Sequence, residues 1–157
     1  MTREKTCLFT GHRHLGNMLD KTCLMRGIEY VISLGVDTFI SGGALGFDTE
    51  ASLAVLEAKK TYPNIKLFIF APCKNQSNGW SFSEKALYKK ILKKADFVDM
   101  PDYDYFNGCM KARNYKMVDS SSYCIAFFDG NGHSGTGQTY NYAKRSGLTV
   151  YNIYGKN

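Results

Sequence analysis

Six short apolar runs, separated by stretches of helical spacing, constrain this 157-residue chain more than any other feature. The runs are Thr6–Thr10, Thr38–Ser41, Lys66–Ala71, Phe97–Met100, Tyr123–Phe128 and Thr149–Tyr154. Several are continuously apolar, as in LFIF (67–70) and CIAFF (124–128), the pattern of a strand covered on both faces. Between them, apolar residues recur at helical intervals. One stripe is Leu24, Ile28, Val31 and Ile32, and another is Phe47, Ala51, Ala54, Val55 and Ala58. Leu87 with Ile91, then Met110, Met117 and Val118, suggest two more, and Tyr140–Arg145 a last one before Gly147. Strand alternating with helix requires crossover connections, which are right-handed and join parallel strands. The expected fold is a single α/β domain over 1–157, three-layered and Rossmann-like, with a mainly parallel sheet.

No repeat, low-complexity tract or linker divides the chain, and no apolar run approaches the roughly 20 residues of a membrane span. The start, MTREKTCLFTG, has no signal-peptide core, so the expectation is a cytoplasmic protein without a membrane partner. Cysteines 7, 23, 73, 109 and 124 form no CxxC pair and have no histidine at ligand spacing. They read as reduced thiols, with no metal and no cofactor implied. The formal net charge of +6 suits a polyanion or a phosphate-bearing ligand. Five of the lysines, however, fall in KALYKKILKK (85–94), which reads as one solvated helix face. Charge alone therefore does not establish nucleic-acid binding.

Ligands of open α/β sheets bind beyond the carboxyl ends of the strands, near the switch in strand order. The segments at those ends are TGHRH (10–14), SGGALGFD (41–48), APCKNQ (71–76) and DGNGHSGTGQT (129–139). In the second, Gly42, Gly43 and Gly46 stand between strand and helix. They either admit a close strand–helix crossing or bare the amides of a helix start to an anion, which the helix dipole favours. The spacing is not that of the GxGxxG fingerprint. Asp48, in the first helical turn, is either a dipole complement or a ligand for ribose hydroxyls. In the last segment Gly130, Gly132, Gly135 and Gly137 surround Ser134 and Thr136, again between a buried strand and a helix. Two such turns at one rim of a sheet favour a phosphate-bearing ligand held between two helix starts.

TGHRH adds Gly11, His12, Arg13 and His14. Arginine clamps phosphate oxygens bidentately and histidine exchanges protons near neutral pH; the alternative is a basic loop with no specific role. Arg113 and Asn114 fall on a helix in CMKARNYKMVDSS (109–121), where a surface ion pair is the ordinary role of an arginine. No Ser–His–Asp or Cys–His nucleophile set can be read from order or spacing.

Several stretches, taken in order and separation, resemble one family over nearly the whole chain. They are FTGHR, SGGALGFD, the Pro72, Gln76 and Trp80 of P-x-x-x-Q-x-x-x-W, ADFVD, RNYKMVD, FFDG and SGTGQTYNYAKRSG. The chain resembles the SLOG superfamily of Rossmann-like proteins, and within it the bacterial YpsA-like family. More distant kin are the lonely-guy phosphoribohydrolases and DNA processing protein A.

The resemblance implies a pocket for a nucleotide or nucleotide-derived ligand, in a sensor or an enzyme, and a homodimer. MKARNYKM (110–117) is similar to the phosphoribohydrolase stretch M-x-x-R-x-x-x-M, so Arg113 matches a catalytic arginine. SGTGQT is similar to G-G-x-G-T-x-x-E, with Gly135 and Thr136 matching the G-T pair. Thr139, after Gln138, stands where that family has its essential glutamate. N-glycosidic hydrolysis needs a carboxylate, which an amide and a hydroxyl do not supply. The leading expectation is therefore a nucleotide-binding protein. Phosphate would lie on Gly42, Gly43, Gly135 and Thr136, with positive charge from His12, Arg13 and Arg113. Asp48 or Asp129 would take ribose hydroxyls, and Gln76 with Trp80 the base. One alternative is a nucleotide N-glycosidase in which Asp48, Asp129 or Asp119 replaces the glutamate. Another is a single-stranded nucleic-acid-binding module.

Overall fold

The computed structural model describes residues 1–157. After a 3-10 turn at Arg3–Lys5 the chain alternates strand and helix: β1 (Thr6–Gly11), α1 (Lys21–Ser33), β2 (Thr38–Ser41), α2 (Phe47–Ala58), β3 (Lys66–Phe70) and α3 (Phe82–Lys94). It continues through β4 (Phe97–Asp99), α4 (Cys109–Asp119), β5 (Tyr123–Phe127), α5 (Gly135–Arg145) and β6 (Thr149–Asn152). The six strands form one sheet in the order β4-β3-β2-β1-β5-β6. Every pairing is parallel, with Leu8 of β1 opposite Ile40 of β2 and Cys124 of β5. The chain builds outward from β1 to β4, then returns to add β5 on the other side of β1. The order therefore switches between β1 and β5.

The alternation of side chains along each strand sorts the core into two layers. Cys7, Phe9, Phe39, Leu67, Ile69, Ile125 and Phe127 pack with the buried faces of α1, α2 and α3. Leu8, Ile40, Phe70, Cys124 and Ala126 pack with Met117 and Val118 of α4 and Ala143 of α5. Burial of each large side chain contributes about 1.5–3 kcal/mol. Aromatic rings tie α2 to the sheet: Phe47 stacks on Phe127 at 5.5 Å and meets Phe9 edge-on at 6.1 Å. The continuous apolar runs thus mark strands covered on both faces.

Side chains cap the starts of α1, α3 and α5, while glycines, Gly46 and Gly108, precede α2 and α4. Asp20 accepts from the amides of Thr22 (2.8 Å) and Cys23 (3.2 Å) at α1, and Ser81 with Glu84 forms a capping box at α3. The helix α5 begins at Gly135, five residues before the apolar periodicity suggests. Its first turn, GTGQT, carries no apolar stripe, and the Ser134 hydroxyl starts the helix by accepting from Gly137 N at 2.9 Å. The five lysines of α3 are exposed, as a solvated face requires. All five cysteines are free thiols, and no helix is long and apolar enough to cross a membrane.

Candidate functional site

A cavity of about 360 Å³ opens at the carboxyl end of the sheet, at the switch between β1 and β5. One wall is the end of β1 with His12 and Arg13, and another is α4 with Met110, Arg113, Asn114 and Met117. Ala44 and Asp48 border it from the β2–α2 turn, and Ser134, Gly135 and Thr136 from the start of α5. Both glycine-rich turns therefore reach the same space.

Arg113 is 7% exposed despite its place on a surface helix. Its Nη1 donates to the carbonyls of Gly42 (2.6 Å) and Phe70 (3.0 Å), which cap the ends of β2 and β3. Its Nε donates to Asn114 Oδ1 at 2.8 Å. These bonds fix the guanidinium plane and leave Nη2 without a protein partner, on a residue that borders the cavity. Burial lowers the pKa of Arg113, and the nearby Asp48 charge offsets part of that shift. A surface ion pair is not its role: its contacts are two strand-end carbonyls and a neighbouring amide.

Asp48 is equally buried, at 7% exposure. Its Oδ2 accepts from Ala44 N at 3.2 Å. Burial pushes its carboxyl up to about 6, against the opposing pull of Arg113 and of the Ala44 amide. Behind it, the Ser52 hydroxyl donates to Asp48 O (2.7 Å) and lies 2.8 Å from Ser41 Oγ, so the turn is braced from inside the fold. The cavity thus holds one buried cation and, beside it, one carboxyl that titrates near the upper end of the acid range.

At the opposite wall α5 presents its first turn. Ser134 Oγ takes the Gly137 amide, and Ser134 O takes that of Gln138 at 2.9 Å. The amides of Gly135 and Thr136 precede these and have no intrahelical acceptor, as the first amides of any helix lack one. Beside them, His12 Nε2 accepts from Asp129 N at 3.0 Å and lies 3.1 Å from Asp129 Oδ1. The neutral ring is an acceptor for the amide, and a protonated ring is a partner for the carboxylate. The Asn131 amide and His12 both hold the Asp129 carboxyl below its usual range.

The structure separates the remaining expected residues. Gly42 and Gly43 lie beneath the cavity and not on its wall, and the amide of Gly43 donates to Ser41 Oγ at 3.2 Å. A Cβ on Gly42 would stand 2.6 Å from Arg113 Nη1, so that glycine makes room for an internal guanidinium. Gly46, at φ +83°, abuts the backbone of Arg13, and the Phe47 amide donates to His12 O at 3.1 Å. Gly11 packs against Phe47 and still borders the cavity. Thr139 is buried and donates to Gly135 O at 2.9 Å, turned back along its own helix. Asp129 is exposed and engaged by His12, while Asp119 accepts from Tyr142 OH at 2.7 Å, away from the cavity. Gln76 and Trp80 border an adjoining chamber. Leu45, Asn75, Glu84, Tyr105 and Met110 also border that chamber and were not legible as site residues. The run DYDYF (102–106) offered a signal, being aromatic and outside every strand and helix period.

A doubly wound parallel sheet with a ligand-sized cavity at its switch point defines a Rossmann-like fold. The sequence profile described as the YspA SLOG family (YpsA) matches residues 6–154, and the chain belongs to that family. The chain is 37% identical over 122 residues to the uncharacterized SPbeta prophage-derived protein YoqJ of Bacillus subtilis, covering 70% of this chain and 71% of YoqJ. It is 29% identical over 120 residues to a UPF0398 protein of Halalkalibacterium halodurans, covering 75% of this chain and 64% of that protein. Among solved structures, DNA processing protein A of Streptococcus pneumoniae superposes with a TM-score of 0.63 at 19% identity, over 94% of this chain and 49% of its own. That of Helicobacter pylori, studied for its single-stranded DNA binding mode, gives 0.62 at 18% identity, over 95% and 64%. At such identities the likeness is one of fold. This chain spans under two thirds of the length of the UPF0398 relative and of both solved neighbours.

Proposed function

We propose that this protein binds a nucleotide or nucleotide-derived phosphorylated ligand in the switch-point cavity. The phosphate lies between the unbonded amides of Gly135 and Thr136 and the free Nη2 of Arg113, with Arg13 at the rim. Asp48 takes ribose hydroxyls. The observation that carries this reading is the meeting, in one cavity, of a helix start with a nearly fully buried arginine that has a donor to spare. Calorimetry with nucleoside monophosphates, ADP-ribose and cyclic nucleotides tests it. Gly135→Pro is the informative variant, because proline suits the first helical position and removes a single amide donor. Binding should weaken about tenfold, the scale of one hydrogen bond to a charged group. Undiminished affinity in Gly135→Pro and in Arg113→Lys would reject the reading.

A second reading is favoured by Asp48 alone. A carboxyl raised to about 6 in the same cavity supplies the group that Thr139 does not. On this reading Asp48 accepts a proton from water as it attacks the anomeric carbon, and the base leaves with the bonding electron pair. Free base should then appear by chromatography with the wild-type chain and vanish with Asp48→Asn. No release across the nucleotide panel would remove this reading and leave the first intact.

A further inference from the structure

The switch-point cavity adjoins a second chamber of about 490 Å³, and Arg13 and Met110 line both. Its walls are a tryptophan, a tyrosine and several amides: Trp80, Tyr105, Asn75, Gln76 and Asn78. Four of them are tied to the fold by packing or hydrogen bonds. Trp80 packs edge-on against Tyr88 with centroids 5.2 Å apart. Gln76 Nε2 donates to Tyr88 OH (3.1 Å) and to Gly42 O (3.3 Å), the carbonyl that also holds Arg113. Tyr105 is pinned by its amide, which donates to Asn75 Oδ1 at 2.8 Å.

Two features point to what enters. Gln76 Oε1 is the single buried side-chain polar atom in the protein without a hydrogen-bond partner. Both donors of that amide are directed elsewhere in the fold, so the oxygen is left unpaired behind the chamber wall and meets an N–H from outside only when an entering group parts that wall. The chamber also carries a carboxylate, Glu84, whose Oε1 accepts from Ser81 N at 2.8 Å in the α3 capping box. A fixed negative charge disfavours an anion here and assigns the phosphate to the Arg113 end. What remains is a flat, uncharged ring with N–H groups on its edge.

We propose that this chamber is the nucleobase subsite, with the base against Trp80 and an edge N–H reaching Gln76 Oε1 once the base has parted the wall that shields it. The inference rests on the reading that the phosphate occupies the switch-point cavity. Arg13, common to both spaces, then lies over the ribose and spans the two halves of the ligand. Contact with the tryptophan should tighten binding about tenfold, within the range found for base–aromatic stacking.

Trp80 is the only tryptophan, so the protein's tryptophan emission comes from the wall of this chamber. The full chain is titrated with ribose 5-phosphate and with AMP, CMP, GMP and UMP, by calorimetry and by tryptophan fluorescence in parallel. Ribose 5-phosphate should bind without altering the emission. At least one nucleotide should bind about tenfold more tightly and change it. Trp80→Leu should bring that nucleotide down to the affinity of ribose 5-phosphate and leave ribose 5-phosphate itself unaffected, while Trp80→Tyr should keep most of the difference. Equal affinities with unchanged emission would overturn the base subsite and leave the phosphate reading standing. Absence of binding by sugar phosphate and nucleotides alike would overturn both.

Discussion

After β2 the chain sets Gly42, Gly43 and Gly46 within five residues, and after β5 it sets Gly130, Gly132, Gly135 and Gly137 within eight. In the first turn the space left by missing side chains is filled by the protein itself: the Arg113 guanidinium lies over Gly42, and the Arg13 backbone over Gly46. In the second, a Cβ on Gly137 would also strike backbone, the Asn131 carbonyl oxygen at 2.4 Å, but one on Gly135 would meet nothing within 4 Å, and the helix start there faces the cavity. Glycine in a sequence thus reports that something comes close to the backbone, and not whether that something is a ligand or another part of the chain. One turn builds the cation of the site; the other leaves its amides for what the cation attracts.

Substitutions at the two turns should separate them. Gly46→Val places a branched side chain at φ +83° against a backbone, and should cost about 3–5 kcal/mol in urea unfolding. Arg113→Met leaves two strand-end carbonyls unbonded and Asp48 without its neighbouring charge, and should cost about 3–5 kcal/mol. A loss below 1 kcal/mol in either variant would mean that the first turn is not built around internal contacts.

Asp48 gives a pH signature with a definite sign. Its folded pKa, about 6, lies above the ordinary 3.8, so between those values the folded chain binds the proton more tightly. The stability contributed by protonation is full below about pH 4 and is lost as pH rises through about 6. Thermal unfolding of the wild type should show this loss, of roughly 2–3 kcal/mol, on going from pH 4 to pH 7.5. Asp48→Asn should flatten that dependence; an unchanged slope would assign it to other groups.

Effects at the second turn should be smaller on stability and larger on binding. Ser134→Ala removes the α5 cap, a loss of about 1 kcal/mol. Gly135→Ala should be neutral or slightly stabilising, since alanine is the better helix former and the space is open. A loss near that of Gly46→Val would erase the contrast between the turns.

Most of the fold was legible because each of its features is local. Strand ends fall within two residues of the apolar runs, and four helices coincide with their apolar stripes. The start of α5 was not, because a serine hydroxyl sets it and no apolar period does. Within the site, Arg113, Asp48, Gly135 and Thr136 could be named from motif and position. The burial of Arg113 could not, since its partner Gly42 is 71 residues away. Nor could the pairing of His12 with Asp129 across 117 residues, which depends on β1 and β5 becoming neighbours. Sequence spacing identifies groups that can meet an anion. The order of strands decides which of them meet one another.

A crystal of the protein grown with a nucleoside 5′-monophosphate puts the contrast between the turns to a direct trial. The phosphate should lie within hydrogen-bond distance of the Gly135 and Thr136 amides and of Arg113 Nη2, with Gly42 still covered by the guanidinium and Gly43 by Tyr88 and Ile69. A phosphate seated on the Gly42–Gly43 backbone, with Arg113 displaced from it, would contradict the division of labour between the two turns.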